Sequence, residues 1–195
     1  MDRDFSYTAA PGLLQDRVIL ITGAGGGLGG ALAEACAQLG ATVVLVGRTQ
    51  KKLEAVYDRI VSANAPQPAI LPMNLMTATW AEYEALAASL EESFGRLDGL
   101  VHAAAHFKGF SRLEDLEPRD WLDGLQVNLT APYTLTRLCL PLLRKSADAS
   151  VIQIADEAGR KIRAFNGIYG ITKRAADALI GSFALELKHE KNLRF

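Results

Sequence analysis

Short runs of branched apolar residues alternate along this chain with longer stretches in which apolar positions recur every three or four residues. Val18-Ile19-Leu20-Ile21 and Thr42 to Val46 are brief and lack polar alternation, so each predicts a strand covered on both faces. Ala69 to Met73, Leu97 to Ala103 and Ser150 to Ile154 predict three more. The helical period predicts helices over 25–39, 50–62, 77–94, Pro118 to about Leu143 and Gly167 to about Glu190. Strands alternating with helices require right-handed crossovers. The expected fold is therefore α/β, a doubly wound parallel sheet between two helical layers. Residues 14–195 are expected to form that one domain, with residues 1–13 as an N-terminal tail.

Composition agrees with a buried core: 49% of the 195 residues are hydrophobic and 22% are charged. The 21 basic and 22 acidic residues leave a formal net charge of -1, which gives no reason to expect nucleic acid or an anionic membrane as partner. No apolar run is long enough to span a bilayer, and the charged start Met1-Asp2-Arg3-Asp4-Phe5 does not read as a secretory signal; a cytoplasmic protein is expected. Cys36 and Cys139 fall in apolar helical patterns and read as buried free thiols. His102, His106 and His189 lack metal-ligand spacing, so no metal is expected, and His102 reads as a core histidine.

Candidate chemistry starts after the first strand, at Thr22-Gly23-Ala24-Gly25-Gly26-Gly27-Leu28-Gly29. Glycines there admit positive φ and let a pyrophosphate approach bare backbone, while the helix that follows offers free N–H groups. The second strand ends in Val46-Gly47-Arg48, without the carboxylate that would hold a ribose 2′-hydroxyl and with a guanidinium that can pair with a 2′-phosphate. NADP(H) is expected over NAD(H). Tyr169 and Lys173 stand four residues apart on one helical face, so a phenol and an ammonium can share a cleft. A nearby cation would favour phenolate and suit the tyrosine to acid/base work on a carbonyl. Pro132 has no N–H and leaves the carbonyl of Asn128 without its helical donor.

Thr22-Gly23-x-x-x-Gly27-x-Gly29 followed by Tyr169-x-x-x-Lys173 resembles the short-chain dehydrogenase/reductase family, over about Leu14 to Phe195. The resemblance implies a Rossmann-like fold and hydride transfer between NADP(H) and a small alcohol or carbonyl substrate. Tyr169 would be the acid/base, Lys173 its partner and a nicotinamide-ribose ligand, and Asn128 the holder of a relay water through its backbone carbonyl. Thr22, Gly23, Gly25, Gly27, Leu28, Gly29, Arg48, Asn74 and Ala103 would line the cofactor site. It also implies a possible homodimer through the helices at 118–143 and 167–190.

Ala103 and Ala105 stand where the family has asparagine and glycine, and two further features depart from its pattern. Asp156 falls where a catalytic serine is usual; ionised, it would repel a forming alkoxide and raise the Tyr169 pKa. Protonated by burial it could donate instead, and a one-residue loop shift would hide it from the cleft. The sequence also ends where the family's sixth strand starts, which reads as a truncation that lacks the last strands and leaves the fifth strand an apolar edge. A non-catalytic nucleotide-binding protein or an inactive fragment is the alternative reading.

Overall fold

A computed structural model describes residues 7–161 and 163–195; the charged segment at Met1–Phe5 lies outside the described residues. Among the described residues six parallel strands form one sheet in the order β3-β2-β1-β4-β5-β6. They are β1 (Val18–Thr22), β2 (Thr42–Gly47), β3 (Ala69–Pro72), β4 (Gly99–His102), β5 (Ala149–Gln153) and β6 (Leu193–Arg194). The helices are α1 (Gly27–Gln38), α2 (Gln50–Ser62), α3 (Trp80–Phe94), α4 (Pro118–Leu125), α5 (Ala131–Arg144), α6 (Glu157–Arg160) and α7 (Gly167–Glu186).

All of β1 is buried, because the sheet is covered on both faces. On one face Leu20, Val44, Val46 and Leu100 pack with Leu86, Leu90, Leu135 and Cys139 of α3 and α5. On the other Ile19, Ile21, Val43 and Leu45 pack with Ala33 and Ala37 of α1 and Leu53, Val56 and Ile60 of α2. Adjacent residues in a strand therefore feed opposite cores, as the pleat dictates. The order reverses between β1 and β4, and the crevice that opens at their C-terminal ends is where open α/β sheets bind ligands.

Several expectations shift. α3 begins at Trp80, because Thr79 forms a capping box with Glu82. The long helix expected from Pro118 to Leu143 is broken into α4 and α5 by one wide π-helical turn, Gln126–Thr130, in which Ala131 N–H reaches back to the Gln126 carbonyl. Pro132 is the cause, since it withholds the donor an α-helical ladder would need there. α7 ends at Glu186 instead of Glu190, and α6 was not foreseen.

The expectation of a chain that stops before its sixth strand is corrected. Leu193–Arg194 pairs with Ala149–Ser150 as β6, so β5 is not a wholly bare edge. Leu193 is buried in the core, and Arg194 donates to Asp148 and to Ser150 Oγ. Phe195 stacks on Phe183 of α7 with centroids 5.6 Å apart. Cys139 is buried and Cys36 half-buried, both as free thiols.

Candidate active site

Between β1 and α1 the backbone folds tightly on itself. Gly26 N–H donates to the Gly23 carbonyl at 2.9 Å, and Ala24 N–H to Val46 of β2 at 3.1 Å. Gly23 has φ +69°, and a Cβ there would stand 2.8 Å from the Ala104 backbone. A Cβ on Gly29 would overlap the Gly23 carbonyl, so α1 can start this close to β1 only with a bare residue. Gly27 differs: nothing lies within 4 Å of its Cβ position, which faces open cleft at the N-terminus of α1. Open space, bare backbone and the positive end of a helix dipole suit a diphosphate.

The cleft holds about 410 Å³ and is lined by Gly23, Gly25, Gly27, Leu28 and Gly29 at one end. Arg48, Thr49 and Lys52 form a basic corner past the end of β2, with Gly47 supplying no carboxylate. Asn74 lines the wall beyond β3, its Oδ1 accepting from Met76 N–H at 3.3 Å, and Ala103 lines the floor beyond β4. The residues present thus fit a dinucleotide carrying a 2′-phosphate. Among the expected cofactor residues Lys173 does not line this cleft, and neither does Thr22. Its side chain is buried, and its hydroxyl accepts from Ala104 N–H at 3.2 Å, which ties β1 to the end of β4 rather than facing the cleft.

Tyr169, Lys173, Asn128 and Asp156 do not line this cleft but gather beyond Phe107, a cleft residue whose ring lies 5.0 Å from that of Tyr169. Tyr169 Oη donates to Asp156 Oδ2 at 3.0 Å. Lys173 Nζ donates to the Ile154 carbonyl at 2.9 Å and lies 5.7 Å from the centre of the Tyr169 ring. Asn128, buried on the π turn, accepts from His106 N–H at 2.7 Å and donates to the His106 carbonyl and Thr172 Oγ1, both at 3.0 Å. It thereby clamps the loop after β4 to α7. Asp156 faces the site and is not hidden by a loop shift: it caps α6, its Oδ1 accepting from Ala158 N–H at 2.8 Å. A Cβ on Gly159 would come within 2.9 Å of the Lys173–Arg174 backbone, so α6 is seated hard against α7 and carries Asp156 with it.

The electrostatics run against the simplest expectation for this pair. Burial first, and then the hydrogen bond and charge of Asp156, push the Tyr169 phenol up to about 12. Burial also lowers Lys173, opposed by the charges of Asp156 and Asp177. His102 is buried and pushed down to about 3 by burial, with Nε2 2.8 Å from Thr136 Oγ1, which fits a neutral core histidine.

The family described as short chain dehydrogenase matches residues 17–194. The chain belongs to that family. It is 35% identical over 188 residues to the uncharacterized oxidoreductase YciK of Escherichia coli K12, covering 96% of this chain and 74% of that one. A solved short chain dehydrogenase structure from Pseudomonas syringae superposes with a TM-score of 0.94 at 46% identity, over 97% of this chain and 78% of that one. Another, from Shigella flexneri 2a and complexed with NADP, gives 0.91 at 34% identity, over 95% and 77%.

Three parts of this short-chain dehydrogenase's site were not foreseen. Lys52 stands one helical turn beyond Arg48, a spacing visible in the sequence. Phe107 lines the cleft, with its ring 5.0 Å from that of Tyr169, and the exposed Phe110 packs edge-on 5.3 Å from Phe107. The signal was Phe107-x-x-Phe110 in a loop, where two aromatics have no strand or helix to bury them. His106 also reaches the cleft, and its Nε2 is enclosed without a partner among the described residues. No helix among the described residues is long and apolar enough to cross a membrane.

Proposed function

We propose that the chain is an oxidoreductase exchanging hydride between NADP(H) and an alcohol or carbonyl compound at the Tyr169 end of the cleft. One observation carries the reading: Phe107 lines the cleft together with the glycine turn, and its ring lies 5.0 Å from that of Tyr169. When bound, the cofactor supplies the hydride donor or acceptor. Gly23, Gly27 and Gly29 give its diphosphate bare backbone, and Arg48 with Lys52 pairs with the 2′-phosphate, a group absent from NAD(H). The relative solved with NADP supports that preference.

Tyr169 holds the proton exchanged with the substrate oxygen. Lys173, 5.7 Å from the centre of its ring, would meet a ribose hydroxyl, and the Asn128 carbonyl, whose i+4 residue Pro132 has no N–H, would offer a water its acceptor. Asp156 slows carbonyl reduction, because it presents a carboxylate where a developing alkoxide needs a donor. A second copy of the chain is the macromolecular partner this reading carries, met through α4, α5 and α7, where Trp121, Tyr133, Ile171 and Leu185 stand exposed. NADPH oxidation against a panel of aldehydes and ketones tests the proposal, with Tyr169→Phe as control. Equal rates in both proteins would remove the catalytic assignment, and light scattering that finds only monomer would remove the dimer.

A further inference from the structure

We propose that the site selects a substrate whose reacting group is a cationic C=N, a protonated or N-alkylated imine, over a neutral carbonyl. The inference rests on the NADP(H) reading above and names its substrate class. Its basis is the Asp156 carboxylate beside Tyr169, whose ring meets Phe107 of the cleft wall. Asp156 Oδ2 accepts from Tyr169 Oη at 3.0 Å and Oδ1 accepts from Ala158 N–H at 2.8 Å. The nearby Lys173 ammonium is held on the Ile154 carbonyl at 2.9 Å and not on this carboxylate. A substrate arriving beside Tyr169 therefore meets a carboxylate that already accepts from both Tyr169 and Ala158.

A carbonyl that takes up hydride becomes an alkoxide, which this carboxylate repels. An iminium is cationic on arrival and attracted. For an N–H imine the carboxylate also keeps the nitrogen protonated, which is the form that accepts hydride. In the step, the imine carbon gains a hydride from NADPH and one C–H bond forms. The C=N π pair becomes the nitrogen lone pair, the cation becomes a neutral amine, and the reductant leaves as NADP⁺. No proton has to be delivered to the reacting atom, so Tyr169 keeps its own and acts as a positioning residue that orients Asp156. Phe107 of the cleft wall, with the exposed Phe110 packed edge-on against it, adds aromatic faces beside Tyr169, which favour a cationic, ring-bearing ligand.

The test uses NADP-loaded protein and the variant Asp156→Asn, which keeps a capping oxygen for Ala158 and removes the charge. Calorimetric titration with benzamidinium and its neutral isostere benzamide should show the cation binding about tenfold or more tighter, with the preference lost in the variant. In NADPH turnover, kcat/KM for N-methyl-3,4-dihydroisoquinolinium should exceed that for 1-tetralone. The ratio should fall about tenfold or more in Asp156→Asn, chiefly through KM. Equal affinities for the two isosteres, or a turnover ratio that Asp156→Asn leaves unchanged, overturns the proposal. NADPH binding with tetralone preferred overturns this inference alone; no NADPH binding at all overturns the cofactor reading beneath it.

Discussion

Tyr169 gives its hydroxyl hydrogen bond to Asp156 Oδ2, 3.0 Å away, while the ammonium of Lys173 on the same helical face is turned to the Ile154 carbonyl. The phenol therefore answers to a carboxylate more than to a cation, and its pKa is pushed up to about 12, by burial first and by Asp156 second. Replacing Asp156 with serine should release the phenol and supply a neutral donor to the substrate oxygen. Ketone reduction should rise by about 10²-fold, the scale of one oxyanion donor. Phenolate absorbance should show one tyrosine titrating at lower pH than before, a change absent when Tyr169 is already phenylalanine. An unchanged ketone rate would show that Asp156 does not face the substrate.

In the proposed reaction, alcohol oxidation uses Tyr169 as phenolate, so its rate should follow the phenolate fraction. With the phenol raised from 10 to about 12, that fraction grows tenfold per pH unit throughout the neutral and mildly alkaline range. The logarithm of the oxidation rate should climb with unit slope from pH 7 to pH 10 without levelling off. In Asp156→Ser the limb should move part of the way toward acid, because burial, the larger cause, remains. A plateau near pH 8 in the unaltered protein would contradict the Asp156–Tyr169 coupling.

The sheet was legible because buried parallel strands write themselves as short branched runs: β1, β2 and β5 lie within a residue or so of their expected bounds. Their glycine turn was legible for a related reason, since Gly23 and Gly29 leave no room for a side chain where α1 starts against β1. What was missed depends on contacts distant in sequence. Nothing local to Thr22 says that its hydroxyl is spent on Ala104, 82 residues on. Nor does any local pattern show that Asn128 clamps His106 to α7, or that Asp156 caps α6 while it meets Tyr169. Pro132 did signal a lost backbone donor, but not that the helix would absorb the loss as a π turn.

Gly27 and Gly29 should separate binding from folding. A methyl group at Gly27 enters open cleft and favours the helix N-terminus, so Gly27→Ala should melt at or slightly above the parent temperature while NADPH affinity falls about tenfold or more. Gly29→Ala places its methyl on the Gly23 carbonyl and should lower the melting temperature as well. Thermal melts beside fluorescence titration of NADPH decide it; unaltered NADPH affinity in Gly27→Ala would move the diphosphate elsewhere.

Arg48 and Lys52 bound the corner that a 2′-phosphate would occupy. Removing both guanidinium and ammonium in Arg48→Ala/Lys52→Ala should weaken NADPH by about 10–100-fold and leave NADH nearly unaffected, because only NADPH carries the phosphate they pair with. The ratio of the two dissociation constants is the measurement. A parallel loss for both cofactors would point to damage in α2 instead of lost phosphate recognition.

His102 makes stability depend on acidity. Burial lowers its pKa from 6.5 to about 3, so folded protein keeps the ring neutral while the unfolded chain protonates it. Its contribution is complete above pH 6.5 and is lost as the pH falls toward 3. By pH 5 the loss should be about 2 kcal/mol, at about 1.4 kcal/mol per unit below 6.5. His102→Asn keeps a polar partner for the Thr136 hydroxyl, now 2.8 Å from Nε2, and cannot titrate. The stability gap between parent and variant in urea unfolding should accordingly narrow from pH 7.5 to pH 5, even though other groups titrate in both proteins, because those groups cancel in the difference. A gap that stays constant would mean the ring is protonated in the folded protein, with its enclosed Nδ1 finding an acceptor.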